Sequence, residues 1–132
     1  MNPIVTGIHH VAIRASNFDA TVGFYAKTLG FREVMRWGEG NGRAVMLDSG
    51  KGNCLEVFAG GTDAPKPEGA LLHLAFNCDD IDAAIERVRA AGAQITMEPA
   101  TVQVDSKPKA MSIRLAFFKG RDGEVIELFK LE

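Results

Sequence analysis

The sequence predicts an α+β fold made of two βαβββ modules, and three observations predict it. A strand pattern that opens on histidine, followed by a helix pattern that ends on glycine, occurs twice, from His10 to Gly30 and from His73 to Gly92. Each half closes on a strand carrying one glutamate among apolar residues, LEVF at 55–58 and IELF at 126–129. Between the halves lies GGTDAPKPEG, residues 60–69, whose glycines and prolines read as a linker or long loop. Repetition of this kind outranks local propensity in choosing a fold. The expected organisation is therefore a first module at 1–59, a linker at 60–69 and a second module at 70–132.

Each element has its own signal. IHHVAIRA, residues 8–15, reads as the first strand. SNFDATVGFYAKTLG follows as a helix, with Ser16 or Asn17 to cap it, Gly30 to end it, and Phe18, Val22, Tyr25 and Leu29 on one face. FREVMRW is a strand and GEGNG a turn; RAVMLDS and NCLEVFA are strands around GKG. In the second half ALLHLAFNC is a strand. DDIDAAIERVRAAG is a helix capped by Asp79 or Asp80, with Ile81, Ala84, Ile85 and Val88 on one face. AQITME is a short strand, TVQVDSKPKA a polar loop with room for a short edge strand, and MSIRLAFFK and EVIELFK are strands around GRDG.

Composition narrows the class. The 132 residues are 46% hydrophobic and 24% charged, enough apolar material for a core and unlike a disordered chain. A net charge of −2 without a basic stripe argues against a nucleic-acid partner. No apolar run approaches a membrane span and no signal-peptide pattern opens the chain. Cys54 and Cys78 form no CxxC or zinc-finger spacing and read as reduced thiols of a cytoplasmic protein.

Strand parity then selects the residues that carry chemistry. Neighbouring strand residues point to opposite faces, so His9 and His10 are not expected to serve one site from a regular strand. Val11 and Ile13 suit the face beneath the helix, which leaves His10, Ala12 and Arg14 on the other. Leu72, Leu74 and Phe76 likewise leave His73, Ala75 and Asn77. Leu55 and Val57 leave Glu56 with Cys54 and Phe58; Ile126 and Leu128 leave Glu127 with Val125 and Phe129. His10, Glu56, His73 and Glu127 all take the side away from the helix. His9 falls on the helix side and reads as structural. Two imidazoles and two carboxylates at matched places in a repeat suit a divalent transition metal with positions left for water or substrate.

The stretches HVAIRASNFDATVGFYAKTLGF, CLEVF, LLHLAFNCDDIDAAIERVRAAGA and FFKGRDGEVIELF resemble the vicinal oxygen chelate superfamily. Its members include glyoxalase I, methylmalonyl-CoA epimerase, extradiol dioxygenases, and fosfomycin- and bleomycin-resistance proteins. The resemblance implies paired βαβββ modules forming a curved mixed sheet around a metal-binding cavity. It implies a ligand set of His10, Glu56, His73 and Glu127, closest to glyoxalase I, for one divalent ion (Ni, Co, Zn or Mn).

The implied chemistry is that of a lyase or isomerase acting on a small molecule with vicinal oxygens. A proton next to a metal-bound carbonyl is abstracted and an enediolate forms. Glu127 is the implied base, and Glu56 the second ligand or second base. Arg14 resembles an anion-binding arginine of glyoxalase I, and Asn77, Phe58 and Phe129 are expected beside it as substrate contacts. Where glyoxalase I tends to place an asparagine that helps hold glutathione, this chain has Ala59, Gly60 and Gly61. Two carboxylates around one carbon also suit an epimerase of the methylmalonyl-CoA type, and the same cavity without catalysis suits an antibiotic- or metabolite-binding protein. A ring-opening dioxygenase, which needs an open three-ligand iron site, fits four ligands less well. Open sheet edges predict a homodimer.

Overall fold

Asn17 and Asp80 start the two helices in the same way, and the strands around them fall into two sheets. The computed structural model describes Ile4 and residues 7–132; of the expected first module, residues 1–3, 5 and 6 lie outside the described ones. The chain divides into two units, residues 1–63 and 64–132.

In the first unit the order is β1 (His10–Arg14), α1 (Phe18–Gly23), β2 (Arg32–Trp37), β3 (Ala44–Asp48) and β4 (Cys54–Phe58). The Asn17 side chain accepts the Ala20 amide at 3.1 Å, satisfying one of the helix's unpaired donors. After Gly23 the helix widens into a π-helical turn, Phe24–Thr28, in which the Leu29 amide donates to the Phe24 carbonyl at 3.2 Å. The expected apolar stripe is corrected here. Phe18, Thr21, Phe24 and Tyr25 are buried, whereas Val22 and Leu29 are only partly so. Phe18, Thr21 and Tyr25 keep helical spacing, and the widened turn that starts at Phe24 rotates the residues after it, among them the partly exposed Leu29. Gly30, at φ +80°, then turns the chain out of the helix.

The sheet runs β1-β4-β3-β2, with β1 parallel to β4 and the other neighbours antiparallel. Val45, Leu47, Leu55 and Val57 are at most 1% exposed and form its core.

The second unit follows with β5 (Leu74–Asn77), α2 (Ile81–Ala90), β6 (Gln94–Val104), β7 (Met111–Lys119) and β8 (Val125–Leu131). Its sheet order, β5-β8-β7-β6, repeats the first, again with first and last strands parallel. Each unit is thus a βαβββ module, as expected. The Asp80 carboxylate accepts the Ala83 amide at 3.0 Å, and Ile81, Ile85 and Val88 are buried beneath α2. The turn at 120–123 needs its last glycine, because Gly123 holds the left-handed φ of +85°.

One element differs from expectation. Residues 101–104, read as the start of a polar loop, continue β6, which is 11 residues long. Thr101, Val102, Gln103 and Val104 pair with Arg114, Ile113, Ser112 and Met111. Proline cannot donate to a ladder, so Pro99 is tolerated only where no partner needs its amide. The strand passes it on the sheet edge with register shifts between Ile95 and Met97 and between Met97 and Ala100. Among the described residues no helix is long and apolar enough to cross a membrane.

Candidate functional site

In the first unit Glu56 stands between Leu55 and Val57, which point to the helix side and are buried. It opposes Ala12 of β1 and Met46 of β3 in register. Its carboxylate, with the residue 9% exposed, lies 3.6 Å from Nε2 of His10 on the parallel strand (Glu56 Oε1). Parity therefore brings the expected pair together.

The second unit repeats this with tighter contact. Glu127, also 9% exposed, opposes Ala75 of β5 and Phe117 of β7. His73 Nε2 lies 3.1 Å from Glu127 Oε1, although β5 itself begins one residue later at Leu74. The Phe117 ring meets His73 edge to face at 5.5 Å. Phe117 was not anticipated, yet parity applied to MSIRLAFFK finds it. Ala116 and Phe118 are core at 0% exposure, so Phe117 faces the other way.

His9 is a correction. The two adjacent histidines were expected on opposite faces, but their Nδ1 atoms lie 2.9 Å apart and their rings stand edge to face at 5.2 Å. The regular strand begins only at His10. His9 still accepts the Cys54 amide through its carbonyl at 2.9 Å, but outside the strand its side chain is not bound to alternation.

Around the first pair, Arg14 Nη1 donates to the Ala59 carbonyl at 2.8 Å and the guanidinium sits 5.5 Å from the Phe58 ring centre. Trp37, a second unanticipated neighbour, meets Phe58 edge to face at 6.4 Å. In the second unit Asn77, exposed, opposes the half-buried Phe129 in the position that Arg14 and Phe58 occupy in the first. Burial pushes the Cys54 and Cys78 thiols up from their ordinary value, with nearby carboxylates adding to it, so both favour the protonated, unreactive form.

The donor chemistry fits a divalent ion. Bonds of about 2.1 Å at angles between square and tetrahedral separate two donors by roughly 3.0–3.4 Å. The His73–Glu127 separation of 3.1 Å falls in that range, and the His10–Glu56 separation of 3.6 Å lies just outside it. Each unit thus offers one histidine–glutamate donor pair.

Comparison with known proteins agrees with this architecture. A lactoylglutathione lyase of Haemophilus influenzae is 30% identical over 130 residues, covering 93% of this chain and 91% of that protein. The uncharacterized protein YaeR of Escherichia coli is 29% identical over 130 residues, covering 93% of this chain and 95% of that one. The crystal structure of a glyoxalase family protein from Enterococcus faecalis superposes with a TM-score of 0.70 at 31% identity, covering 94% and 97% of the two chains. The model of the Glyoxalase/Bleomycin resistance protein/Dioxygenase superfamily matches residues 7–128, and the chain belongs to that superfamily.

Proposed function

We propose that the protein is a divalent-metal-dependent lyase or isomerase of the glyoxalase type. It acts on a small molecule with vicinal oxygens, with His10, Glu56, His73 and Glu127 as metal ligands. One observation carries this reading: each unit sets a histidine and a buried glutamate together on the sheet face away from its helix, at 3.6 and 3.1 Å. The name of the Haemophilus influenzae relative supports it. Ni, Co, Zn or Mn held by these donors would supply Lewis-acid polarisation of a substrate carbonyl.

The chain's own residues do the rest. Glu127 takes the proton from the carbon beside that carbonyl and returns it after rearrangement. Arg14 is fixed by the Ala59 carbonyl through one of its five N–H donors, and it presents the others to a substrate carboxylate. Phe58 and Phe129 supply apolar walls, and Asn77 an amide that can donate or accept. The modules at 1–59 and 70–132, joined by 60–69, work in a cytoplasmic homodimer.

A second reading is favoured by the equal burial of Glu56 and Glu127, each 9% exposed. Two equivalent carboxylates allow removal of a proton on one face and its return on the other, which is epimerisation.

Reconstitution with each of the four metals followed by elemental analysis tests the site. Stoichiometric metal is expected, and the His10→Ala, His73→Ala double variant loses it. NMR of α-proton exchange with solvent deuterium, over hemithioacetals, α-hydroxycarbonyls and 2-methyl-acyl thioesters, tests the chemistry. Absence of both metal and exchange overturns the enzyme reading, and tight ligand binding without exchange replaces it with a binding protein.

A further inference from the structure

The two nitrogens of His10 have different neighbours. Nε2 lies 3.6 Å from Glu56 Oε1, beyond hydrogen-bond length. Nδ1 lies 2.9 Å from Nδ1 of His9, within it, so one of these rings donates to the other. His73 is placed otherwise. Its second neighbour is the Phe117 ring, which offers no lone pair in the ring plane.

A neutral imidazole carries one proton, on Nδ1 or on Nε2. Use of Nε2 as a ligand requires that the proton sit on Nδ1. A ligating histidine commonly donates that second N–H to an acceptor, which fixes tautomer and ring plane together. His9 Nδ1 is such an acceptor when His9 carries its own proton on Nε2. The pull of Glu56 on the His10 proton acts toward Nε2, but over the longer distance. The ring planes, 88° apart, do not stack, and the Nδ1–Nδ1 separation of 2.9 Å makes the contact a hydrogen bond.

We propose that His9 is a positioning residue for His10: it accepts the Nδ1 proton and so presents Nε2 with its lone pair bare. The inference deepens the proposed function and rests on His10 as a ligand. It gives the adjacent histidines complementary roles in one unit, whereas in the other unit an aromatic edge orients His73.

The test compares His9→Ala, His9→Phe and His9→Asn. His9 is exposed and precedes the strand, so all three keep the fold, which circular dichroism checks. Phenylalanine keeps the ring contact without an acceptor. Asparagine places an amide oxygen near the position of Nδ1. In the metal-free protein, long-range proton–nitrogen NMR above the histidine titration range reads which His10 nitrogen is protonated. The expected result is a shift toward Nε2–H in the alanine and phenylalanine variants and restoration by asparagine. Zn(II) affinity, by competition with a chelator, is expected to fall about 10- to 100-fold in the first two and to recover to within about three-fold in the third. An unchanged His10 pattern in His9→Ala, or rescue by phenylalanine instead of asparagine, overturns the proposal. If wild-type protein takes up no Zn(II), the ligand reading fails, and the metal-free spectra still decide the His9–His10 contact by the same criteria.

Discussion

The two units share a strand order and a histidine–glutamate pair, and differ in nearly everything placed around that pair. The first has a six-residue helix that widens into a π-helical turn; the second has a regular helix of ten residues. The first carries a short hairpin, with strands of 6 and 5 residues, and the second a long one, with strands of 11 and 9. Arg14 and Asn77 occupy the same register position, one a fixed cation and the other a neutral amide. Topology alone therefore sets the pair. A parallel contact between the first and last strands places the histidine near the glutamate whatever lies between them. The intervening elements are then free to diverge in helix type and in strand length.

Substitution of the carboxylates separates the two units most strongly. If Glu127 is the base and Glu56 mainly a ligand, Glu127→Gln keeps substrate binding within a few-fold and lowers kcat by about 100-fold or more. It also abolishes α-proton exchange. Glu56→Gln retains measurable exchange. Equal losses in the two variants, followed by steady-state kinetics and NMR, identify the epimerase instead.

A smaller effect separates the helices. Asp80→Ala is expected to cost about 1 kcal/mol in urea unfolding, since it removes both a cap and a negative charge at the start of a full-length helix. Asn17→Ala removes a neutral cap from the shorter α1 and is expected to cost about half as much.

The smallest effect lies on the surface of the second unit. Arg114 donates to both carboxylate oxygens of Asp82, at 2.6 and 2.8 Å, and holds that carboxyl below its ordinary range. A depressed carboxylate stabilises the fold above its unfolded pKa, and the contribution is lost as pH falls through the folded value. Asp82→Asn should therefore lower Tm slightly at neutral pH and not at strongly acidic pH. High salt should narrow the neutral difference, because the pair is exposed.

Much of this was legible in the chain because its signals are local. Asn17 and Asp80 cap helices by side chains that read as caps anywhere. Leu55, Val57, Ile126 and Leu128 reveal by alternation which way Glu56 and Glu127 must face. What escaped depends on non-local or irregular geometry. The continuation of β6 past Pro99 requires its partner β7, which sequence inspection does not supply. Thr21 escaped because its side chain is polar, although it shares the regular helical face of Phe18 and Tyr25, and the π-helical turn from Phe24 changes the period only for the residues that follow, among them Leu29. His9 escaped because alternation was applied one residue beyond the point where the strand becomes regular.

The parallel contact between the first and last strands of each unit also has a consequence for synthesis. In each unit the histidine emerges early and its glutamate only with the final strand, so the pair cannot exist in a partly translated unit. Its formation closes nearly the whole unit into a loop, and contacts of such long sequence separation slow folding. A chain truncated before β8 retains His73, the helix and the long hairpin strands but lacks Glu127. Assembly of each donor pair is thus a late event that reports the completed fold.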